Sequence, residues 1–204
     1  SKKKISEVAY YIERKILKYE GGWQDQIISS FGGINKISID KKGKFKIKKL
    51  NISRKKINII QNKLILVFTE ETRNSSKIIK KQKLKLQNNI KIYDKLKKFV
   101  LPLEKCLFQG NYIQLGKIFH QHWLIKKKLS NQISNSFLDN FYLKLLKNKD
   151  FIGGKIIGAG GGGFFLMVTK NRLKSEKFLK KNNFKFMRVN FDFNGSSIIK
   201  DNYL

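Results

Sequence analysis

The sequence predicts an α+β protein, and three observations carry that prediction: amphipathic helical patterns interleaved with strand-sized runs, one alternating pair of segments that reads as a hairpin, and one continuous apolar run that reads as a central strand. In order, Ile5, Val8, Ala9, Ile12, Ile16 and Leu17 recur at helical spacing with Lys and Glu between them, so the first helix is expected to end near Gly21-Gly22. The segments 36–39 and 44–50 alternate apolar with polar residues around Asp40 to Gly43, the pattern of a hairpin. Residues 63–69 lack that alternation, as burial on both faces of a central strand requires. A long lysine-rich helix is predicted from Lys77 to about Val100, broken by the single proline, Pro102. Further helices follow over 103–108, 112–128 and 135–147. A glycine-dense stretch (153–163), a strand (164–169), a helix (172–181) and a last strand (184–191) close the chain.

The 204 residues are 41% hydrophobic, enough for one compact body or two small lobes. The one cysteine, Cys106, cannot form an internal disulfide, and no apolar run reaches the roughly 20 residues that cross a bilayer. These features point to a reducing, cytoplasmic setting and no membrane partner. The formal charge of +31 raises the prospect of a polyanion such as nucleic acid. Against that, the lysines are spread over nearly every segment and accompany abundant Ile and Asn, the signature of A+T-biased codons, and surface Lys accumulates at little cost in stability. A basic nucleic-acid-binding module is therefore the second choice.

The run Gly158-Ala159-Gly160-Gly161-Gly162-Gly163 contains the spacing G-x-G-x-x-G, but a dinucleotide turn needs a strand before it and a helix after it. Here a helical segment and a short link are expected before the loop and a strand after it. No Lys followed by Ser or Thr closes the run, which excludes a Walker-type loop. What remains is a loop without side chains whose backbone can approach a ligand or another segment closely, and whose amides can line an anion-binding concavity. A tight structural connection is the plainer alternative, but so many glycines cost about 0.5–1 kcal/mol each relative to alanine. A bound ligand would offset that. Asp25, between Gln24 and Gln26 and beside Gly21, Gly22 and Trp23, suits either a general base at a dry site or the N-cap of the helix through Ile27 and Ile28.

Together, Gly22-Trp23-Gln24-Asp25-Gln26, Phe31-Gly32-Gly33-Ile34-Asn35 and the stretch from Gly153-Gly154-Lys155 through Gly163-Phe164 closely resemble the GHMP kinase superfamily, in particular its sugar kinases. Thr69 to Ser76 is similar to that family's strand-end segment, and His120-Gln121-His122-Trp123 followed by 126–130 to its helix before the glycine loop. The resemblance covers nearly the whole chain in the family's order. It implies a two-lobed fold with the N-terminal lobe truncated and a C-terminal lobe of ferredoxin-like α/β sandwich type, with residues 1–60 as the remainder of the first lobe and 61–204 as the second. It also implies transfer of a phosphoryl group from ATP, with Mg2+, to a hydroxyl of a sugar or sugar phosphate of the heptose 7-phosphate kind. By resemblance, Asp25 is the catalytic residue near the accepting hydroxyl. Gln24, Gln26, Arg73, Lys155, Gly158, Ala159, Gly160, Gly161, Gly162 and Gly163 are the candidates for substrate or phosphate contacts.

Two family motifs, an N-terminal strand and turn and a Pro-x-Gly-x-Gly-Ser-Ser-Ala loop, are absent from the 204 residues. The chain therefore reads as a C-terminal part, a fragment or the product of a split gene, that needs a missing N-terminal segment or second chain to complete the ATP site. A non-catalytic, partner-dependent remnant is the third reading. Milder departures are Lys149 to Ile152 where small residues usually precede Gly-Gly-Lys, and Glu70-Glu71 where a glycine is common. His120 and His122, two apart on a helix, face different ways and have no Cys or further His near them, so no metal site is assigned. Trp23, Trp123 and the phenylalanines are expected in the core.

Overall fold

The computed structural model describes residues 1–72 and 75–197. It divides into two compact units, one of Ser1–Asn51 with the described residues from Asn190 onward, the other of Ile52–Val189. The sequence reading set its boundary at residue 60. In the structure Ile57 and Ile60 are buried, at 7% and 1% exposure, and the helix that carries them packs within the second unit.

In the first unit, helix α1 (Lys2–Tyr11) continues into a π-helical turn over Ile12–Ile16. The helix stops before Gly21-Gly22, at Lys18, which takes a positive φ of 55°. Its predicted apolar face is not buried: Ile5, Val8, Ile12, Ile16 and Leu17 are 43–59% exposed, and the inward position is Ser6. Helix α2 (Gln24–Phe31) packs on α1, fixed by Tyr10 and Trp23, whose rings stack at 3.6 Å. The predicted hairpin forms as β1 (Asn35–Ile39) and β2 (Phe45–Lys49), with Asp40 Oδ1 accepting from the amides of Lys42 and Lys44 in the turn. The segment after Asn190 returns to this unit, where the amide of Gly33 donates to the carbonyl of Asp192.

The second unit opens with α3 (Arg54–Gln61), which the sequence reading did not resolve, and β3 (Leu64–Phe68). Helices α4 (Ser75–Leu84) and α5 (Leu86–Lys97) occupy the stretch read as one long helix. Pro102 does not end a helix but lies in the first turn of α6 (Val100–Gln109), where a missing N–H costs nothing. Then come α7 (Tyr112–Lys126), a 3-10 turn over Lys127–Leu129, and α8 (Ser136–Leu146). The last elements are β4 (Phe151–Ile156), β5 (Phe164–Thr169), α9 (Arg172–Lys181) and a short β6 (Phe186–Arg188), which covers three residues of the longer strand predicted.

The strands form one antiparallel sheet in the order β4-β5-β3-β6, so β3 is central, as its continuous apolar run predicts. Helices and sheet enclose a core in which Trp123, Phe165 and Leu145 are fully buried and Tyr142 nearly so. Trp123 meets Phe165 edge-on at 5.3 Å. Strand β4 corrects the sequence reading, which placed a helical link before the glycine loop. Glycines 153 and 154 hid the strand, and their reason is contact: a Cβ on Gly153 would fall on the carbonyl oxygen of Gly116 in α7. The bare backbone lets α7 lie directly against β4.

Candidate active site

The glycine loop joins two antiparallel neighbours, β4 and β5, so it is the turn of a β-hairpin and not the strand-to-helix turn of a dinucleotide site. Gly158, Gly160, Gly161, Gly162 and Gly163 all have positive φ. At Gly162, with φ of 138°, a side chain would also fall on the carbonyl oxygen of Glu71. The loop is tied inward at alternate positions. The amide of Gly161 donates to the carbonyl of Ile133 at 2.8 Å, and that of Gly163 to the carbonyl of Glu71 at 2.7 Å. Thr69, at the end of β3, uses both its amide and its hydroxyl to hold the Gly163 carbonyl, at 2.8 and 2.9 Å. Two of the amides offered by sequence as anion donors are thus committed within the protein. Those of Gly160 and Gly162 make no hydrogen bond among the described residues, and a Cβ at Gly158 or Gly163 would meet nothing within 4 Å. The backbone there is open to a ligand.

The start of the loop is held from below. Gln82 of α4 donates to the Ala159 carbonyl at 3.3 Å, and Lys126 at the end of α7 donates to the Gly158 carbonyl at 2.5 Å. Lys155, in β4, stands over the Phe119 ring at 5.7 Å. Burial pushes the Lys126 ammonium down to about 8, with the Lys155 charge adding to the effect, and burial lowers Lys155 as well. His122, one turn before Lys126, is pushed down to about 3 by burial and by both lysines, and its Nδ1 is buried without a partner. His120 points elsewhere: its Nδ1 lies 2.9 Å from the Tyr142 hydroxyl, which also brackets Gly154. Sequence reasoning named Lys155 but missed Lys126, which sits in the run Lys126-Lys127-Lys128 of a chain rich in lysine.

Asp25 belongs to the first unit, in the first turn of α2. It is solvent-exposed, not enclosed, and it is not the cap: Trp23 occupies the N-cap position and no side chain caps the helix. Its surroundings are nonetheless fixed. Arg14 reaches from the π-helical turn to the carbonyls of Tyr19 and Gly22, at 3.3 and 3.2 Å, and so holds the approach to α2. Gln24 is exposed beside Asp25. Gln26 turns inward and is buried, donating from Nε2 to Glu13 at 2.8 Å. Arg73 lies outside the described residues. Among the described residues, no three His, Cys, Asp or Glu side chains converge on a point that could hold a metal ion, and no helix is long and apolar enough to cross a membrane.

No family model matches the chain. Among curated relatives it is 31% identical over 167 residues to D-glycero-alpha-D-manno-heptose 7-phosphate kinase of Campylobacter jejuni, a match covering 81% of this chain and 49% of that protein. Its fold matches the crystal structure of a D-glycero-D-manno-heptose 1-phosphate kinase from Bacteroides thetaiotaomicron with a TM-score of 0.69 and 24% identity, over 96% of this chain and 55% of that one. A mevalonate kinase structure matches with a TM-score of 0.69 and 23% identity, over 94% of this chain and 57% of that one. The chain thus spans about half the length of the proteins it matches. Over that half, the chain is similar in sequence to a heptose 7-phosphate kinase and shares the fold of the heptose 1-phosphate and mevalonate kinases it matches.

Proposed function

We propose that the chain supplies the acceptor-facing part of an ATP-dependent, cytoplasmic phosphotransferase acting on a hydroxyl of a sugar or sugar phosphate. The observation that carries this reading is the glycine loop: it is fixed by Thr69, Glu71 and Ile133, while the Gly160 and Gly162 amides have no hydrogen-bond partner among the described residues. Phosphoryl transfer asks mainly for positioning and charge neutralisation, which a rigid array of backbone donors supplies without reorganising. Asp25, a carboxylate in the first turn of a helix whose approach Arg14 fixes, orients the accepting hydroxyl and takes its proton. Gln24, exposed beside it, is a hydrogen-bonding group for the same acceptor. When bound, Mg-ATP supplies the phosphoryl group. The residues present fit it only in part: the open loop backbone suits phosphate oxygens, while no protein cage exists for Mg2+ among the described residues, so the cation would be held chiefly by the phosphates themselves.

The curated relative is twice as long as the part this chain matches, and the first two family motifs have no counterpart in the 204 residues. In this reading, the part of the relatives that this chain does not match is what supplies the rest of the nucleotide site. The exposed apolar face along α1 and the π-helical turn that continues it favours that reading, because five large apolar side chains in water are what an uncovered contact surface looks like. The test is ADP release on a panel of heptose, fucose and galactose derivatives, with and without a 7- or 6-phosphate, by this chain alone and joined to the equivalent of the other half. Turnover is expected only from the joined form. Brisk turnover by the 204 residues alone overturns the division of labour. No turnover from a folded, joined form on any sugar leaves the basic nucleic-acid-binding reading, which predicts affinity that falls steeply with salt and ignores Asp25→Asn.

A further inference from the structure

The second unit carries a cavity of about 450 Å³ between one face of α8, the end of β3 and the turn from α9 to β6. That volume falls in the range of small-ligand sites. Four phenylalanine rings line it. Phe137 and Phe141 lie one turn apart on α8 with ring centres 6.1 Å apart, Phe141 meets Phe184 edge-on at 5.1 Å, and Phe68 is the fourth. The floor is anchored, since Phe141 also stacks on the fully buried Phe165. The mouth is open, and Phe137 stands there 47% exposed. The wall opposite α8 is fixed by the Phe68 amide, which donates to the Lys185 carbonyl at 2.8 Å, and by the ion pair of Lys185 with Glu70 at 2.9 Å. Glu70 and Asn183, with φ of 61° and 57°, are two of the three non-glycine residues of positive φ among the described residues, and both line the cavity. Backbone of that kind gathers at ligand sites.

We propose that this cavity binds a small aromatic acid, a flat ring system bearing a carboxylate. A hollow walled by rings favours another ring, because the positive edge of one aromatic meets the negative face of the next in edge-on or offset contact. The carboxylate falls to Lys144. Phe137, Asn140, Phe141 and Lys144 share one face of α8, at i, i+3, i+4 and i+7, so the ammonium and the Asn140 amide stand beside the rings. Lys144 Nζ lies 5.0 Å from the centre of the Phe184 ring and, unlike Lys185, forms no ion pair among the described residues. The site is independent of the reading of the glycine loop: the two meet at Thr69, whose amide and hydroxyl are committed to Gly163. An aliphatic acid and an aromatic amine are the rival occupants. The rival places are the apolar strip along α1 and the diffuse field of a chain of net charge +31.

Titration calorimetry of naphthoate on the whole chain at constant ionic strength tests the site, with naphthylmethylamine as the probe of opposite charge and cyclohexanecarboxylate as the acid without an aromatic ring. Saturable binding of naphthoate is expected, weakened about fivefold or more by Phe137→Ala and about threefold by Lys144→Gln. The other two probes should bind less tightly. Lys91→Gln, at an exposed position of α5, and Ile12→Ala, on the uncovered strip, should leave naphthoate binding unchanged. No saturable binding by the parent overturns the site outright, and so does equal binding by all four variants. A loss in Lys91→Gln or Ile12→Ala as large as in the cavity variants also overturns it, since diffuse attraction or the strip then accounts for the binding. An amine or aliphatic acid that binds as tightly as naphthoate and depends equally on Phe137 overturns the choice of occupant. Should a cavity variant fail to fold, the parent decides by NMR. Magnetisation transfer from the Phe137 and Phe141 ring protons to bound naphthoate is expected, and transfer from the Ile12 and Ile16 methyls alone overturns the site.

Discussion

Lys126→Met should change the pH dependence of stability in a direction that can be worked out from the structure. A lysine whose folded pKa is lowered holds its proton more weakly than in the unfolded chain. Its penalty is therefore complete below the folded value and disappears as pH rises toward the unfolded one. For Lys126 those limits are about 8 and 10.5. The penalty at pH 7 is about 3 kcal/mol, and about 2 kcal/mol of it is relieved by pH 9.5. The charged and titratable groups facing Lys126 are Lys155 across from α7 and His122 on its own helix, and His122, at about 3, stays neutral throughout this range. Urea unfolding of the parent and of Lys126→Met in phosphate-free buffer at pH 7, 8, 9 and 9.5 isolates the effect, because the titration of the other lysines cancels between the two proteins. The parent should gain about 2 kcal/mol relative to the variant over that interval. A difference that stays constant with pH, or that moves the other way, refutes the claim that this ammonium is uncompensated.

In the joined form, Asp25→Ala should lower turnover by about 10²–10⁴ while acceptor affinity, read by calorimetry, changes little. Gly162→Ala should destabilise the chain by about 1–3 kcal/mol in urea, because its φ of 138° disfavours any side chain and the Glu71 carbonyl occupies the space. Gly153→Ala should cost a similar amount by pushing α7 off β4, and a Gly22→Ala control, where nothing lies within 4 Å, should be near neutral by the same assay. Trp123→Ala, at a position with no exposure, should cost about 3–5 kcal/mol, measured as a lower urea midpoint.

How legible each part was depended on whether local pattern or distant contact dictated the residue. Strand β3 and helix α9 could be read directly, since a continuous apolar run and a helical pattern are local signals. Strand β4 could not: Gly153 and Gly154 are there because of the backbone of α7 and the side chain of Met167, neither visible in the neighbouring residues. The break between α4 and α5 at Lys85 is hidden by lysines that suit any exposed position. At the site, the loop was evident from its glycines, but the direction of each amide was not. Gln26 stands next to Asp25 in sequence, and only the structure shows its side chain turned to Glu13. Lys126 was unreadable among forty-five basic residues because only its contact with the Gly158 carbonyl distinguishes it from Lys127 and Lys128.

The uncovered strip along α1 and the turn that continues it also governs how this polypeptide behaves in a tube. Ile5, Val8, Ile12, Ile16 and Leu17 form a self-adhesive line on a molecule of net charge +31. Mutual repulsion keeps such molecules apart while the Debye length is long, and salt shortens it from about 30 Å at 0.01 M to about 8 Å at 0.15 M. Colloidal stability should accordingly be greatest in dilute buffer, with clouding and light scattering setting in as salt is added, so the strip imposes the handling conditions before any chemistry is attempted.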